Sequence, residues 1–282
     1  EEHRVQALET QLYRCAKCSL EVFLPQIIGT PSFYVEAYNL SGMQAKASFT
    51  YSESKWDFYE ASLDITGCNS LLEVGCGPGH FLSMVRDAVS KVYGVEYNEP
   101  AKVQARAKGL SVFSNVSEVD HAEGFDAVFC FHVLEHVKDP VEFVRELFSL
   151  VKPGGTVGIS VPNQAGPIQY IDPCVMNMPP HHATRWNQSS LTALAFSLGV
   201  KIERFAFEPL LLENHSYYSI GWVNHALSGS SIFSSILRKV TSMILKVLFR
   251  FLRIIGLQYF NLLKGQSIYV RFTRPLSEGG PE

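Results

Sequence analysis

The stretch LLEVGCGPGHF, Leu71 to Phe81, passes from a β-prone apolar start into glycines at 75, 77 and 79 and on into a helix-like run. A strand that feeds a glycine-rich turn and then a helix is a nucleotide-binding device, because bare backbone at the turn lets a ligand approach closely. A dinucleotide fold asks for G-x-G-x-x-G, with the third glycine where helix and strand pack tightly. Here that third position is His80. Glu73 also enters just ahead of the turn, where a polyphosphate would meet like charge. The spacing therefore disfavours a dinucleotide-dependent oxidoreductase.

Outward from this turn, strand-like and helix-like segments alternate: SLLEVG, HFLSMVRDAVS, KVYGVEY, PAKVQARAKG, LSVFS, FDAVFCFHV, PVEFVRELFSLV and GTVGISVP. Short connections marked by Gly or Pro make these βαβ units, which build a parallel sheet covered on both faces. NQSSLTALAFSLG then reads as a capped helix, VKIERFAFEPL as a sixth strand and QSIYVRFTR as a seventh. The expected fold is α/β: a Rossmann-like, doubly wound, seven-stranded, mostly parallel sheet plus a basic amphipathic helical insertion, with an antiparallel last strand implied by the family resemblance that the next segments carry. The expected divisions are a leader at 1–50, a core at 51–226, the insertion at 227–264, and the last strand and tail at 265–282.

Four segments in order carry a resemblance. LLEVGCGPGHF, KVYGVEYN, GFDAVFCFHVLEHVKDP and LFSLVKPGGTVGISVPN are similar to the ordered motifs of class I S-adenosylmethionine-dependent methyltransferases. The resemblance implies S-adenosyl-L-methionine as cofactor. It places Glu73, Gly75, Cys76, Gly77 and Gly79 around the amino-acid and ribose portion, and Glu96 on the ribose hydroxyls. Tyr97, Asn115 and Val116 would then flank the adenine, with Phe131 and His132 at the end of the fourth strand. Within the class, HVLEHVKDP, ISVPN and HHATRW resemble ubiquinone-biosynthesis-type O-methyltransferases. The C-x-x-C leader followed by KWDFYEASL is similar to that of bacterial envelope and sugar methyltransferases.

Methyl transfer from a sulfonium is an in-line displacement, so the protein aligns the acceptor and, for a hydroxyl, removes a proton. The candidates are His132, Glu135 and His136, at i, i+3 and i+4 beyond the fourth strand, with His181 and His182 in the later loop. His136 is the expected base. The string His132-x-x-Glu135-His136 with a downstream His also resembles the E-x-x-E-H divalent-metal motif of small-RNA 2′-O-methyltransferases. It departs from that motif at its first position, so metal ligands are left unassigned and a divalent ion remains the minor alternative. The 24-residue loop NQAGPIQYIDPCVMNMPPHHATRW is too long for an idle connection and reads as a lid or substrate loop, with His181, His182 and Arg185 over the site.

With 282 residues, 46% of them hydrophobic, the chain is expected to bury a large core. Cys68, Cys76 and Cys130 lie in or beside apolar segments, as free thiols do in a reducing compartment. Cys15 and Cys18 supply half of a four-ligand zinc set and read as metal-free. From 214 to 277 there are eight basic residues and no acid. Within that segment, 231–264 shows apolar residues at helical spacing, with Lys239, Lys246, Arg250 and Arg253 on another face. The expected partners are a small-molecule, glycan or lipid-linked acceptor and an anionic membrane surface, with no nucleic acid. The expected location is cytoplasmic, peripheral on the inner membrane. The non-enzyme alternative is a degenerate cofactor-binding module acting through the basic helix.

Overall fold

The computed structural model describes residues 9–30, 33, 55–119, 122–171, 174–211, 219, 221–227, 232–255 and 259–276. The expected division near residue 50 and the tail beyond 276 lie outside these residues.

The central sheet has seven strands. In chain order they are β3 (Ser70–Val74), β4 (Lys91–Val95), β5 (Ser111–Phe113), β6 (Phe125–Phe131), β7 (Val151–Pro162), β9 (Lys201–Leu211) and β10 (Tyr259–Thr273). Their spatial order is β5-β4-β3-β6-β7-β10-β9. The first five pair in parallel, while β10 lies antiparallel between β7 and β9. The expected architecture is therefore the observed one. The chain winds from β3 through β4 to β5 on one side, then restarts at β6 on the other. That reversal opens a crevice at the carboxyl ends of β3 and β6, where open α/β sheets bind ligands.

Two apolar layers cover the sheet. On one side α1 (Trp56–Ser62), α2 (His80–Val85) and α3 (Glu99–Ala107) bury Phe58, Ala61, Phe81, Leu82 and Ala105. On the other, α4 (Pro140–Leu150) and α5 (Gln188–Leu198) bury Val144, Leu147, Leu191 and Leu194. Local chemistry sets the helix ends. Asp139 caps α4 through Glu142 N, and Asn187 and Ser190 form a reciprocal capping box on α5.

A second sheet was not legible in the sequence. The leader forms a hairpin of β1 (Gln11–Arg14) and β2 (Glu21–Leu24), and β2 pairs with the two-residue β8 (Thr184–Arg185) inside the long loop. Helix α6 (Ile232–Ile254) occupies the connection between β9 and β10. Among the described residues no helix is long and apolar enough to cross a membrane.

Helix α1 is fixed from behind. Arg204 on β9 reaches Glu60 at 2.6 Å and Asp64 at 2.9 Å, Arg271 on β10 reaches Asp64 at 3.3 Å, and Tyr269 donates to Asp64 at 2.9 Å. Asp64 is buried while both guanidiniums are about a third exposed. Replacing it strands three donors against a low-dielectric wall. Asp64→Ala should lower unfolding stability by about 2–4 kcal/mol, after discounting for solvent at the arginines, as read by urea denaturation.

Candidate active site

A cavity of about 420 Å³ opens at the crevice. Its floor is the glycine turn, which Gly75 N and Cys76 N hold against the Val95 carbonyl. Gly75 and Gly77 have φ of +78° and +51°. A Cβ on Gly75 would sit 2.4 Å from Val133 Cγ2. Both constraints demand glycine there.

Glu96, at the end of β4, accepts Gly77 N at 2.8 Å on one carboxylate oxygen and Asn98 N at 2.7 Å on the other. It thus ties the turn to the strand, and each oxygen retains a lone pair for a hydroxyl. Burial raises its pKa against those backbone bonds. Glu73 is buried at the cavity wall, and among the described residues its Oε2 accepts no hydrogen bond. Burial pushes its pKa well up, opposed by Lys55 and reinforced by Glu96. A buried carboxyl with one oxygen unsatisfied, in a cavity shared with Glu96 and walled also by Phe58, Phe131, Val133, Phe143 and exposed Tyr97, suits a cationic nucleoside that carries its own ammonium and sulfonium. The residues therefore fit S-adenosylmethionine.

Three of the expected cofactor residues take other roles. Asn115 is tied to Glu118 Oε1 at 3.0 Å and Val116 packs against the main core, while Ser114 occupies the cavity wall. Gly79 lies off the wall as the left-handed N-cap of α2.

The candidate catalytic residues converge on Glu135. A 3₁₀ turn, Leu134–His136, follows His132, whose φ of +55° turns its side chain back under the loop. His132 Nε2 lies 3.1 Å from Asp57 Oδ2, and Nδ1 lies 3.5 Å from Glu135 Oε1. Burial alone would lower its pKa, but the contacts with Asp57 and then Glu135 outweigh it and raise the pKa to about 9. His132 is therefore an imidazolium at neutral pH and cannot serve as a base. Glu135, which burial would protonate, is brought down to about 2 by His132 and then by His136.

The other imidazoles are oriented from outside. His136 Nδ1 donates to the His181 carbonyl, so the second nitrogen, Nε2, is the one 3.9 Å from Glu135 Oε1. His182 Nδ1 donates to Asn177 Oδ1 at 3.0 Å, and Asn177 Nδ2 donates to Gln164 Oε1 at 3.0 Å. That chain turns His182 Nε2 to within 4.0 Å of the same Glu135 oxygen. Burial and then the neighbouring imidazoles hold His182 down at about 3, against the pull of Glu135, so it stays neutral. Donor atoms of Glu135, His136 and His182 all fall within 4.8 Å of one another. Among the described residues neither Glu135 carboxylate oxygen accepts a hydrogen bond.

His181 differs from expectation: its carbonyl, rather than its ring, serves the cluster, and the ring packs edge-on against Phe33 at 4.9 Å. Arg185 does not lie over the site. Its buried guanidinium stacks on Phe23 at 4.9 Å, sits 3.5 Å from Glu21 and donates to the Asn177 carbonyl. The long loop is pinned to the 132–136 turn through Ala183 N, which donates to the Glu135 carbonyl. The leader closes the far side, with Ile28 and Gly29 in the cavity wall.

Asp57, Asn177 and Lys55 were missed in the sequence. Asp57 looks there like an ordinary first-turn acid of α1, and only the packing of α1 on β10 buries it against His132. Cys15 and Cys18 occupy the turn between β1 and β2. No third ligand joins them among the described residues.

The sequence family described as "Methyltransferase domain" matches residues 45–203. The chain belongs to this family, the class I S-adenosylmethionine-dependent methyltransferases. It is 31% identical over 137 residues to a "Probable S-adenosylmethionine-dependent methyltransferase" of Mycolicibacterium smegmatis, covering 47% of this chain and 52% of that protein. It is 38% identical over 105 residues to the ubiquinone biosynthesis O-methyltransferase of Citrobacter koseri, covering 34% and 43%. The chain thus spans about half the length of the curated relatives it matches. A SAM-dependent methyltransferase from Archaeoglobus fulgidus shares the fold with a TM-score of 0.52 at 20% identity, covering 83% of this chain and 100% of that one.

Two outcomes follow. Gly75→Ala should weaken S-adenosylhomocysteine binding by at least about tenfold in calorimetric titration, since the left-handed backbone and the Val133 contact each resist a methyl group. In a timed iodoacetamide reaction at neutral pH, Cys15 should label first. It is exposed, and backbone bonds from Cys18 and Lys17 lower its pKa; buried Cys76 and Cys130, whose pKa values burial raises, should stay unlabelled until the protein unfolds.

Proposed function

We propose that the protein methylates an oxygen of a small-molecule, glycan or lipid-linked acceptor. The observation that carries this reading is the position of His136: it lines the cofactor cavity, and its Nδ1 donates to the His181 carbonyl, which leaves Nε2 as the ring nitrogen outside that bond. S-adenosylmethionine, when bound, supplies an electrophilic methyl group. Glu73 and Glu96 hold its polar end, the glycine turn admits its backbone-proximal atoms, and the aromatic wall excludes water. An acceptor hydroxyl entering between Phe143 and the leader residues Ile28 and Gly29 meets His136, which takes its proton. His132, already protonated, keeps Glu135 ionised and in place. The name of the Citrobacter koseri relative, an O-methyltransferase, supports an oxygen acceptor.

A second reading is favoured by the unpartnered Glu135 oxygens. Glu135, His136 and His182 together form a carboxylate and two imidazoles whose outer nitrogens are fixed by the His181 carbonyl and Asn177, the arrangement of an oriented metal-ligand set. A divalent cation held there would lower the pKa of a bound hydroxyl, and His136 would then be a ligand instead of a base.

The deciding experiment is S-adenosylhomocysteine release against a panel of sugars, lipid-linked sugars and phenols, with Gly77→Arg as the inactive control. Under the base reading, activity survives excess chelator and His136→Ala lowers kcat roughly 10²–10⁴-fold. Under the metal reading, chelator abolishes activity, manganese, magnesium or zinc restores it, and Glu135→Gln abolishes cation binding in calorimetry. Absence of turnover on every acceptor, with the cofactor bound, would favour the degenerate module.

A further inference from the structure

Helix α6 carries two parallel strips. Ile236, Val240, Met243, Val247, Phe251 and Ile254 follow one another at spacings of four, three, four, four and three, and all are exposed. These spacings keep them on a single face. Lys239, Lys246 and Arg250, each one residue before a member of that row, form an exposed cationic strip along its edge. Val247 is 65% and Ile254 75% exposed, far from the burial such side chains have in a core. At 1.5 Å per residue, the apolar row runs for about 27 Å along the helix.

Beside the cationic strip lies a hollow of about 490 Å³ between Asn224 and α6, lined by Ser235, Arg238, Lys239, Ser242 and Lys246. Three cationic side chains and neutral hydrogen-bonding groups make it suited to a phosphate. No acid from 214 to 277 offsets them.

We infer that α6 lies in the plane of an anionic phospholipid surface, with its apolar row among the acyl chains and its basic strip and hollow on the phosphate headgroups. The charge pattern selects this occupant over a second copy of the chain: the cationic strip calls for anions along its length, which a phospholipid surface supplies and a second α6, with no acid of its own, does not. The fold then determines what faces the lipid. The insertion leaves the sheet at the end of β9 and returns through β10, which starts alongside β9 and pairs with β7 from Ser267 onward, opposite Pro162 at the carboxyl end of β7, where Asn163 N donates to the Gln266 carbonyl. That is the rim that carries the cofactor cavity. The ring of His225 meets that of Tyr170 in the long loop at 6.2 Å, linking the root of the insertion to the loop that supplies His182. An acceptor reaching the site from the bilayer would be lipid-borne; this last step alone rests on the proposed oxygen methylation.

Flotation of the full chain with vesicles tests the anchoring without turnover. The protein should float with vesicles of equal parts phosphatidylglycerol and phosphatidylcholine, sink with phosphatidylcholine alone, and be released by high salt. The triple change K239E/K246E/R250E should weaken binding at least about 100-fold, and V247D/F251D should abolish it. Both variants should keep wild-type S-adenosylhomocysteine affinity, which shows that the core is folded. Flotation that ignores lipid charge, no flotation at all, or a dimer in light scattering that V247D/F251D dissolves would each overturn the inference. Failure here leaves methyl transfer to water-borne acceptors intact, and failure of the release assay leaves lipid binding intact.

Discussion

One buried carboxylate organises the histidine side of the cavity. Glu135 sits 1% exposed with imidazoles from His132, His136 and His182 around it, and none of them gives it a well-formed hydrogen bond. An ionised carboxylate in such a place costs several kcal/mol unless positive charge or oriented dipoles answer it. Much of the surrounding structure serves that need. Asp57 holds the proton on His132, α1 is fixed by Arg204 and Arg271 so that Asp57 stays in reach, and the long loop is stitched down so that His182 arrives from the other side.

The cofactor half has a different logic. Its parts come from one run of chain, from Glu73 to Asn98, and depend on backbone geometry: left-handed glycines, amides directed at Glu96 and a strand end facing the crevice. Neighbouring residues impose such constraints on each other, so they leave a regular spacing in the sequence.

That difference explains what could be read beforehand. The sheet was legible because alternating apolar runs and capped helices are local patterns, the direction of its last strand only through the family resemblance, and Gly75, Gly77 and Glu96 because a strand–turn–helix needs them at set distances. His132, Glu135 and His136 could be singled out, but their roles could not be divided. What sets them apart is Asp57, 75 residues from the His132 ring it pairs with, and the His181 carbonyl, 45 residues from the His136 Nδ1 that donates to it. Arg185 looked like a substrate contact because a loop arginine beside histidines invites that reading; its burial under Phe23 depends on β2 pairing with β8 across more than 160 residues. Asn115 was placed on the adenine by analogy, whereas a local bond to Glu118 takes its side chain.

The small sheet of β1, β2 and β8 joins a segment outside the shared domain to the loop that carries the histidines. The family match runs from 45 to 203, so it spans the cofactor turn and the loop histidines but not Ile28 and Gly29, which line the cavity from the leader, nor α6. The glycine turn and Glu96 thus lie within the shared domain, whereas part of the opposite wall is supplied from outside it. Kinship among such proteins will then be a good guide to the donor they share and a poor guide to the acceptor each one serves.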